Sequence, residues 1–325
     1  MKACSLGILL IVMAVFAALA TPAWSADPDW PATLSVATAS PGGTYHVYGA
    51  ALAKILTRAL GLPVGERTTD GPRQNIQMIE AGDAQLAFVT VGAALQAWNG
   101  TADWTNGKQY RSMRALFPMY DTPFHFVALK GSGIRSVADM AGKRIGVGPQ
   151  GGTAGTYIPV FLKTLGIAAA LTHGTWEELA LELADGNLDV MAVAAGAPFP
   201  AIAGLEAKKK ILFLEPSREE ILALRLAMPE LTPSTIPVGI YPSLKKGYKS
   251  VGLYNFAVAN KDLPDNLIHA IVDAVFANHQ ELVEAHPAAA ETVPTNFVHN
   301  TFLPFHPGAS RYYANRVMTG AIKGD

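Results

Sequence analysis

The sequence predicts an α/β protein of two lobes facing one cleft, each lobe a mixed sheet flanked by helices. Three observations predict it. Apolar strand-like runs alternate with helix-length amphipathic runs along most of the chain, the pattern of α/β lobes. Two glycine-rich stretches share one grammar: Ala39-Ser40-Pro41-Gly42-Gly43-Thr44-Tyr45 and Gly148-Pro149-Gln150-Gly151-Gly152-Thr153-Ala154-Gly155-Thr156. Each lies between a strand-like run and a helix-like one. The composition, 50% hydrophobic and 16% charged over 325 residues, supplies a core for one large domain or two ordinary ones.

The chain opens on an export signal. Lys2 carries the charge, Leu6 to Ala20 is almost wholly apolar, and Ala23-Trp24-Ser25 offers small residues at the cleavage site. Residues 1–25 therefore read as a signal peptide cut after Ser25. The apolar run falls short of the roughly 20 residues needed to cross a bilayer. The one cysteine, Cys4, precedes that run, so the exported chain has no disulfide and its fold must rest on a core. The expected location is the periplasm.

The elements follow in order. Leu34 to Thr38 is a short buried strand. Tyr48 to Leu60 has helical spacing (Leu52, Ile55, Leu56, Ala59, Leu60) and is closed by Gly61. Gly71-Pro72 precedes a helix from Asn75 to Ala81, which Gly82 stops. Gln85 to Val91, Met113 to Met119 and His125 to Leu129 read as strands. A second series begins at Ser136-Val137-Ala138-Asp139, a helix-capping pattern for Val137 to Ala141. Strand Arg144 to Val147, the second glycine loop and helix Tyr157 to Leu165 follow. Helix Glu177 to Asp185 then precedes strand Asp189 to Ala194. Glu215 to Gly239 is proline-rich and polar, read as loop with one helix, Arg218 to Leu226. Val251 to Ala259 is a strand, and Pro264 to His286 one long amphipathic helix. The crossovers between lobes fall at Phe124 to Lys130 and Tyr254 to Lys261. The expected division is 26–124 plus 255–325 for one lobe and 125–254 for the other.

Charge excludes some partners. Lys plus Arg number 25 against 26 Asp plus Glu, too even for a broad basic face on nucleic acid. Lys208-Lys209-Lys210 reads as a solvated turn. The eight histidines have no metal-ligand spacing with acids or cysteine, so neither metal nor cofactor is expected. His306-Pro307-Gly308 reads as a turn anchoring the tail.

A Gly-Gly-Thr turn at a helix start leaves backbone N–H groups without intrahelical partners. The helix dipole adds partial positive charge there, and glycine admits a ligand close to the backbone. Ser40, Gly42, Gly43 and Thr44 are the expected donors of one lobe, with Tyr45 packing its ring on the ligand and donating its hydroxyl. Gly151, Gly152, Thr153 and Thr156 are those of the other. Such neutral donors hold a carboxylate without a buried cation. Asn75, at a helix start, either donates to the ligand or caps the helix. Arg73 reads as a surface side chain rather than a carboxylate clamp.

Thr38 to Tyr45 resembles the opening signature of the TAXI family, substrate-binding subunits of tripartite ATP-independent periplasmic (TRAP) transporters. Asp70 to Asn75, Ala81 to Ala87, Ile134 to Lys143, Asp185 to Asp189, Ala195 to Pro198 and Pro304 to Ala309 resemble further family segments in the family's order. The resemblance implies a two-lobed, type II-like periplasmic binding protein. It would capture a small organic anion, a dicarboxylate or an acidic amino acid such as glutamate, and pass it to a TRAP permease. It adds Thr90 and Gly196 to the expected ligand contacts and implies a monomer. The chain departs from the family at Pro72, where a serine is usual, and at His46, where a tyrosine is. It also lacks an acid at Thr90 and Gly92, which favours a ligand without an α-amine.

Two other classes stay open. A binding protein of an ATP-driven importer, or a ligand sensor, would have the same lobes. An enzyme is disfavoured: the second loop lacks the Gly-Lys-Ser/Thr ending of a phosphate loop, the first lacks Gly-x-Gly-x-x-Gly spacing, and no Gly-x-Ser-x-Gly occurs.

Overall fold

A computed structural model describes residues 27–318; the expected signal peptide lies outside them. In the first half, strands β1 (Leu34–Ala37), β2 (Val64–Arg67) and β3 (Leu86–Thr90) alternate with helices α1 (Thr44–Leu60) and α2 (Pro72–Ala81). Both β2 and β3 run parallel to β1. Helix α3 (Val91–Asn99) follows β3 without a loop, because Thr90 ends the strand and caps the helix through Ala93 N–H.

Two long strands join the halves. Strand β4 (Met113–Leu129) fuses what the sequence read as two strands, and β10 (Tyr248–Asn260) runs antiparallel to it. Beyond β4 the second half repeats the plan of the first. Strands β5 (Arg144–Gly146), β6 (Ala170–Thr172) and β7 (Val190–Ala194) pair in parallel, with helices α4 (Thr153–Thr164) and α5 (Trp176–Asp185) between them. Helix α6 (Pro200–Glu206), β8 (Ile211–Phe213), α7 (Arg218–Ala227) and β9 (Thr232–Ile236) lead back to β10. The region read as loop thus holds a strand, β9, on β10.

The sheet order is β2-β1-β3-β10-β4-β7-β5-β6. Read from either end, three parallel strands meet an antiparallel strand, β10 in one half and β4 in the other. Each long strand therefore serves both halves. The fold is two-lobed mixed α/β. One core cluster fills the second half, from Phe124 to Leu253; two others lie about the first-half sheet, one around Tyr48, Phe88 and Ile271, the other around Ile79, Val89 and Phe256.

Other differences have local causes. The expected helix at Val137 shortens to a 3-10 turn, Ala138–Met140, after which the chain must enter β5. The long helix after Pro264 breaks at Asn278 into α8 (Asp265–Ala277) and α9 (His279–Ala285), Asn278 turning its amide onto Ala274 O. Pro307 starts α10 (Pro307–Met318) rather than a turn, as a proline at a first helical position does.

Candidate functional site

The loops after β1 and β5 are equivalent in the two halves, since each leaves the middle strand of a parallel trio. Ligands in open α/β sheets bind beyond such carboxyl ends, where strand order reverses. Both loops open onto one cavity. Its wall holds Ser40, Gly43, Thr44 and Tyr45 from the first loop and α1, and Gly152 and Thr153 from the second loop and α4; Gly196 follows β7.

Neither helix start has a side-chain cap. Gly43 and Gly152 are the N-caps of α1 and α4 with extended backbone, and no side chain accepts from the first turn of either helix. Within each helix the first N–H to find a carbonyl is Val47 on Gly43 O, or Thr156 on Gly152 O. The N–H groups of the preceding residues keep no partner inside the helix, and the helix dipoles add positive potential at both ends.

Two hydroxyls sharpen the picture. Ser40 Oγ and Tyr120 Oη are buried, lie in the cavity wall and have no hydrogen-bond partner. A buried polar atom of this kind costs stability unless something else satisfies it. Burial first, then the neighbouring Tyr45 and Tyr48, raise the Tyr120 phenol well above its usual range, so it is a neutral donor.

Tyr120 reaches this place through a β-bulge. In the β4–β10 ladder Tyr254 pairs Asp121 and Phe256 pairs Pro118, so Met119 and Tyr120 together oppose Asn255. Pro118 has no N–H for the ladder, and a bulge re-aims side chains next to functional sites. Asn255 also lines the cavity. It donates to Tyr120 O and to Thr122 Oγ1, and accepts from Tyr45 Oη at 2.6 Å. The Tyr45 hydroxyl expected to serve the ligand is thus occupied, and the ring is what Tyr45 offers. Trp176 and Phe199, in edge contact at 5.2 Å between ring centroids, form the apolar part of the wall.

Several residues expected at the ligand lie elsewhere. Asn75 is fully buried and belongs to the framework: its amide donates to Thr38 O and Phe88 O, both 2.8 Å, and its oxygen accepts from Thr69. Thr90 is spent on capping α3. The Thr156 hydroxyl turns back to Gly152 O at 2.8 Å. Gly151 packs on Asp70, and Gly42 faces Trp176 and Glu177 rather than the cavity. Gly92 lies so close to Tyr157 Oη that no acid fits there, and Asp70 supplies one at the cavity instead; the missing acid at Thr90 and Gly92 therefore says nothing about an amine. The sequence reading missed Asp70, Tyr120, Thr122, Trp176, Phe199 and Asn255.

The halves touch across the cleft. Thr44 Oγ1 donates to Gly196 O at 3.0 Å, Arg73 N donates to Gly151 O at 3.2 Å, and Arg73 Nη1 donates to Gln150 O at 3.1 Å. The Arg73 guanidinium also covers the Trp104 ring at 5.4 Å; it is an interlobe bridge, not a free surface charge. Gly71, at φ 121°, approaches so near that a Cβ there would meet Gly152 Cα at 3.0 Å. Among the described residues no cluster of histidine, cysteine or acidic side chains could hold a metal ion, and no helix is long and apolar enough to cross a membrane.

The model of the NMT1-like family matches residues 36–316. Among solved structures, MatC of Rhodopseudomonas palustris with bound malate aligns at a TM-score of 0.58 and 11% identity, over 88% of this chain and 99% of its own. The periplasmic binding protein BugD aligns at 0.57 and 13%, over 92% and 100%. A periplasmic transporter structure aligns at 0.56 and 13%, over 89% and 97%. At such identities the likeness concerns the fold.

Proposed function

We propose that this chain, which belongs to the NMT1-like family, is an extracytoplasmic solute-binding protein that clamps a small organic anion through a carboxylate. One observation carries the reading. Two buried hydroxyls without partners, Ser40 Oγ and Tyr120 Oη, share a cavity wall with two uncapped helix N-termini. All of these groups donate, and a carboxylate accepts several such bonds at once. MatC, of the same fold, holds malate, which supports the acid class.

The lobes of this reading are 26–124 with 255–325, and 125–254. The ligand favours closure because only the closed arrangement brings α1 and α4 to it together. The TAXI resemblance makes a TRAP permease in the membrane the recipient and the periplasm the place of capture, with no catalytic step. A permease of the ATP-driven kind is the second possibility. Complementing a strain that lacks this chain, with either permease co-expressed, separates the two by which one restores uptake. The dicarboxylates and acidic amino acids implied by the resemblance all carry the carboxylate this site would take.

Calorimetric titration of Tyr120→Phe and Ser40→Ala tests the site. Each variant should lose about tenfold in affinity for the acid that wild type binds, about the worth of one hydrogen bond to a charged group. Tyr120→Phe should melt no lower than wild type without ligand, since the lost hydroxyl had no partner. Unchanged affinity in both variants would remove the site.

A further inference from the structure

We infer that the cleft accepts an acid carrying one negative charge on an apolar body, and that Asp70 turns a second carboxylate away. The inference rests on the carboxylate reading above.

The positive potential in the wall is small and countable. Each of α1 and α4 presents about half an elementary charge at its start, so together they match about one carboxylate. The third helix start at the cavity, that of α2, adds little. Pro72 has no N–H, Gly71 N–H is given to Thr69 Oγ1, and Arg73 N–H to Gly151 O. Among the described residues no lysine, arginine or histidine lines the cavity. The nearest guanidinium, Arg73, is held by Gln150 O and the Trp104 ring. His46, beside Tyr45, has its Nδ1 2.7 Å from Glu66.

Apart from Thr122 and Asn255, which are hydrogen-bonded to each other, the remaining wall is apolar or acidic. Trp176, Phe199, Ala194 and Ala195 would lie against whatever part of the ligand is not the carboxylate. Among the described residues the acidic side chain in the lining is Asp70, exposed where the two loops meet at Gly151. A second carboxylate in this cavity would meet no cation and one like charge, which disfavours its ionised form. An α-amine, by contrast, has Asp70 as a partner, so a zwitterionic amino acid with an apolar side chain is compatible.

The test uses acids matched in shape, in which the second carboxylate is replaced by an isopropyl group. The pairs are succinate with 4-methylpentanoate, malate with 2-hydroxy-4-methylpentanoate, and aspartate with leucine. The mature protein is titrated with all six by calorimetry, beside Asp70→Asn. In each pair that binds, the member with a single carboxylate should be at least tenfold tighter. Asp70→Asn should narrow that ratio at least fivefold while leaving the melting temperature without ligand unchanged, since Asp70 is exposed. A dicarboxylate that binds tighter than its partner overturns the inference and leaves the carboxylate reading standing, as does a ratio untouched in Asp70→Asn. If none of the six acids binds, the carboxylate reading falls and the inference with it.

Discussion

At the scale of single residues, the pH behaviour is set beside the cleft rather than in it. Asp121, next to Tyr120 on β4, is half-buried; its N–H donates to Glu291 and its carboxylate accepts from Ser234. Burial holds its carboxyl up at about 6, the Ser234 bond opposing and Glu291 adding to the rise. Glu291 is raised as well, mainly by burial. The folded state therefore holds the Asp121 proton more tightly than the unfolded chain, where the value is near 3.9. Its contribution to stability is complete below that value and is lost as pH rises through about 6. His125 acts in the opposite sense. Buried against Phe199 and Tyr241, it is pushed down to about 4 by desolvation, so its contribution is present above the ordinary histidine value and is lost as pH falls toward 4. Asp121→Asn removes the first slope and keeps the second. Thermal melts should show the variant above wild type at pH 7.5, with a steeper loss between pH 6 and 4. Parallel curves would refute this balance.

At the scale of elements, the second glycine loop is a spacer. Gly152 has φ −75°, which any residue adopts, yet a Cβ there would meet Pro149 O at 3.1 Å and Asp70 O, across the cleft, at 3.4 Å. Gly152→Val should lower affinity at least tenfold while the unliganded protein still melts cooperatively; unchanged calorimetric affinity would remove the loop from the site. The helix starts were legible in the sequence because glycine pairs after apolar runs mark them. What escaped reading lacked such local marks. Strand β2, Val64–Arg67, alternates half-buried and exposed residues with Glu66 and Arg67 among them, so it carries no apolar run. Strands β6 and β8 have three residues each, too few for a period. Helix α3 follows β3 without a glycine or proline between them. Tyr120, Asn255 and Trp176 come to the cavity only through the β4–β10 bulge and the packing of α5 beside the first loop. Those are pairings between distant residues, and spacing along one chain cannot show them.

At the scale of the whole molecule, the hydrogen bonds between the halves include Thr44 to Gly196 O, Gln96 to Tyr157, His286 with Pro198 O, and two from Arg73. Its backbone N–H bond to Gly151 O survives a change to alanine, but its guanidinium bond to Gln150 O does not. Arg73→Ala should therefore shift the population toward the open form and weaken ligand binding a few-fold without touching the ligand. Small-angle scattering of the unliganded variant should give a larger radius than wild type, and saturating ligand should restore the smaller one. Equal radii without ligand would show that this bridge does not bias closure.

The position of β10 between β3 and β4 has a consequence for biogenesis. Chains emerge from the ribosome amino end first, so β3 and β4 present bare edges to each other until Tyr248–Asn260 has been made. The first-half sheet cannot be completed before then, whereas β4, β5, β6, β7 and β8 of the second half pair with one another without β10. The first half thus stays open through most of the chain's synthesis and locks only when that late strand arrives.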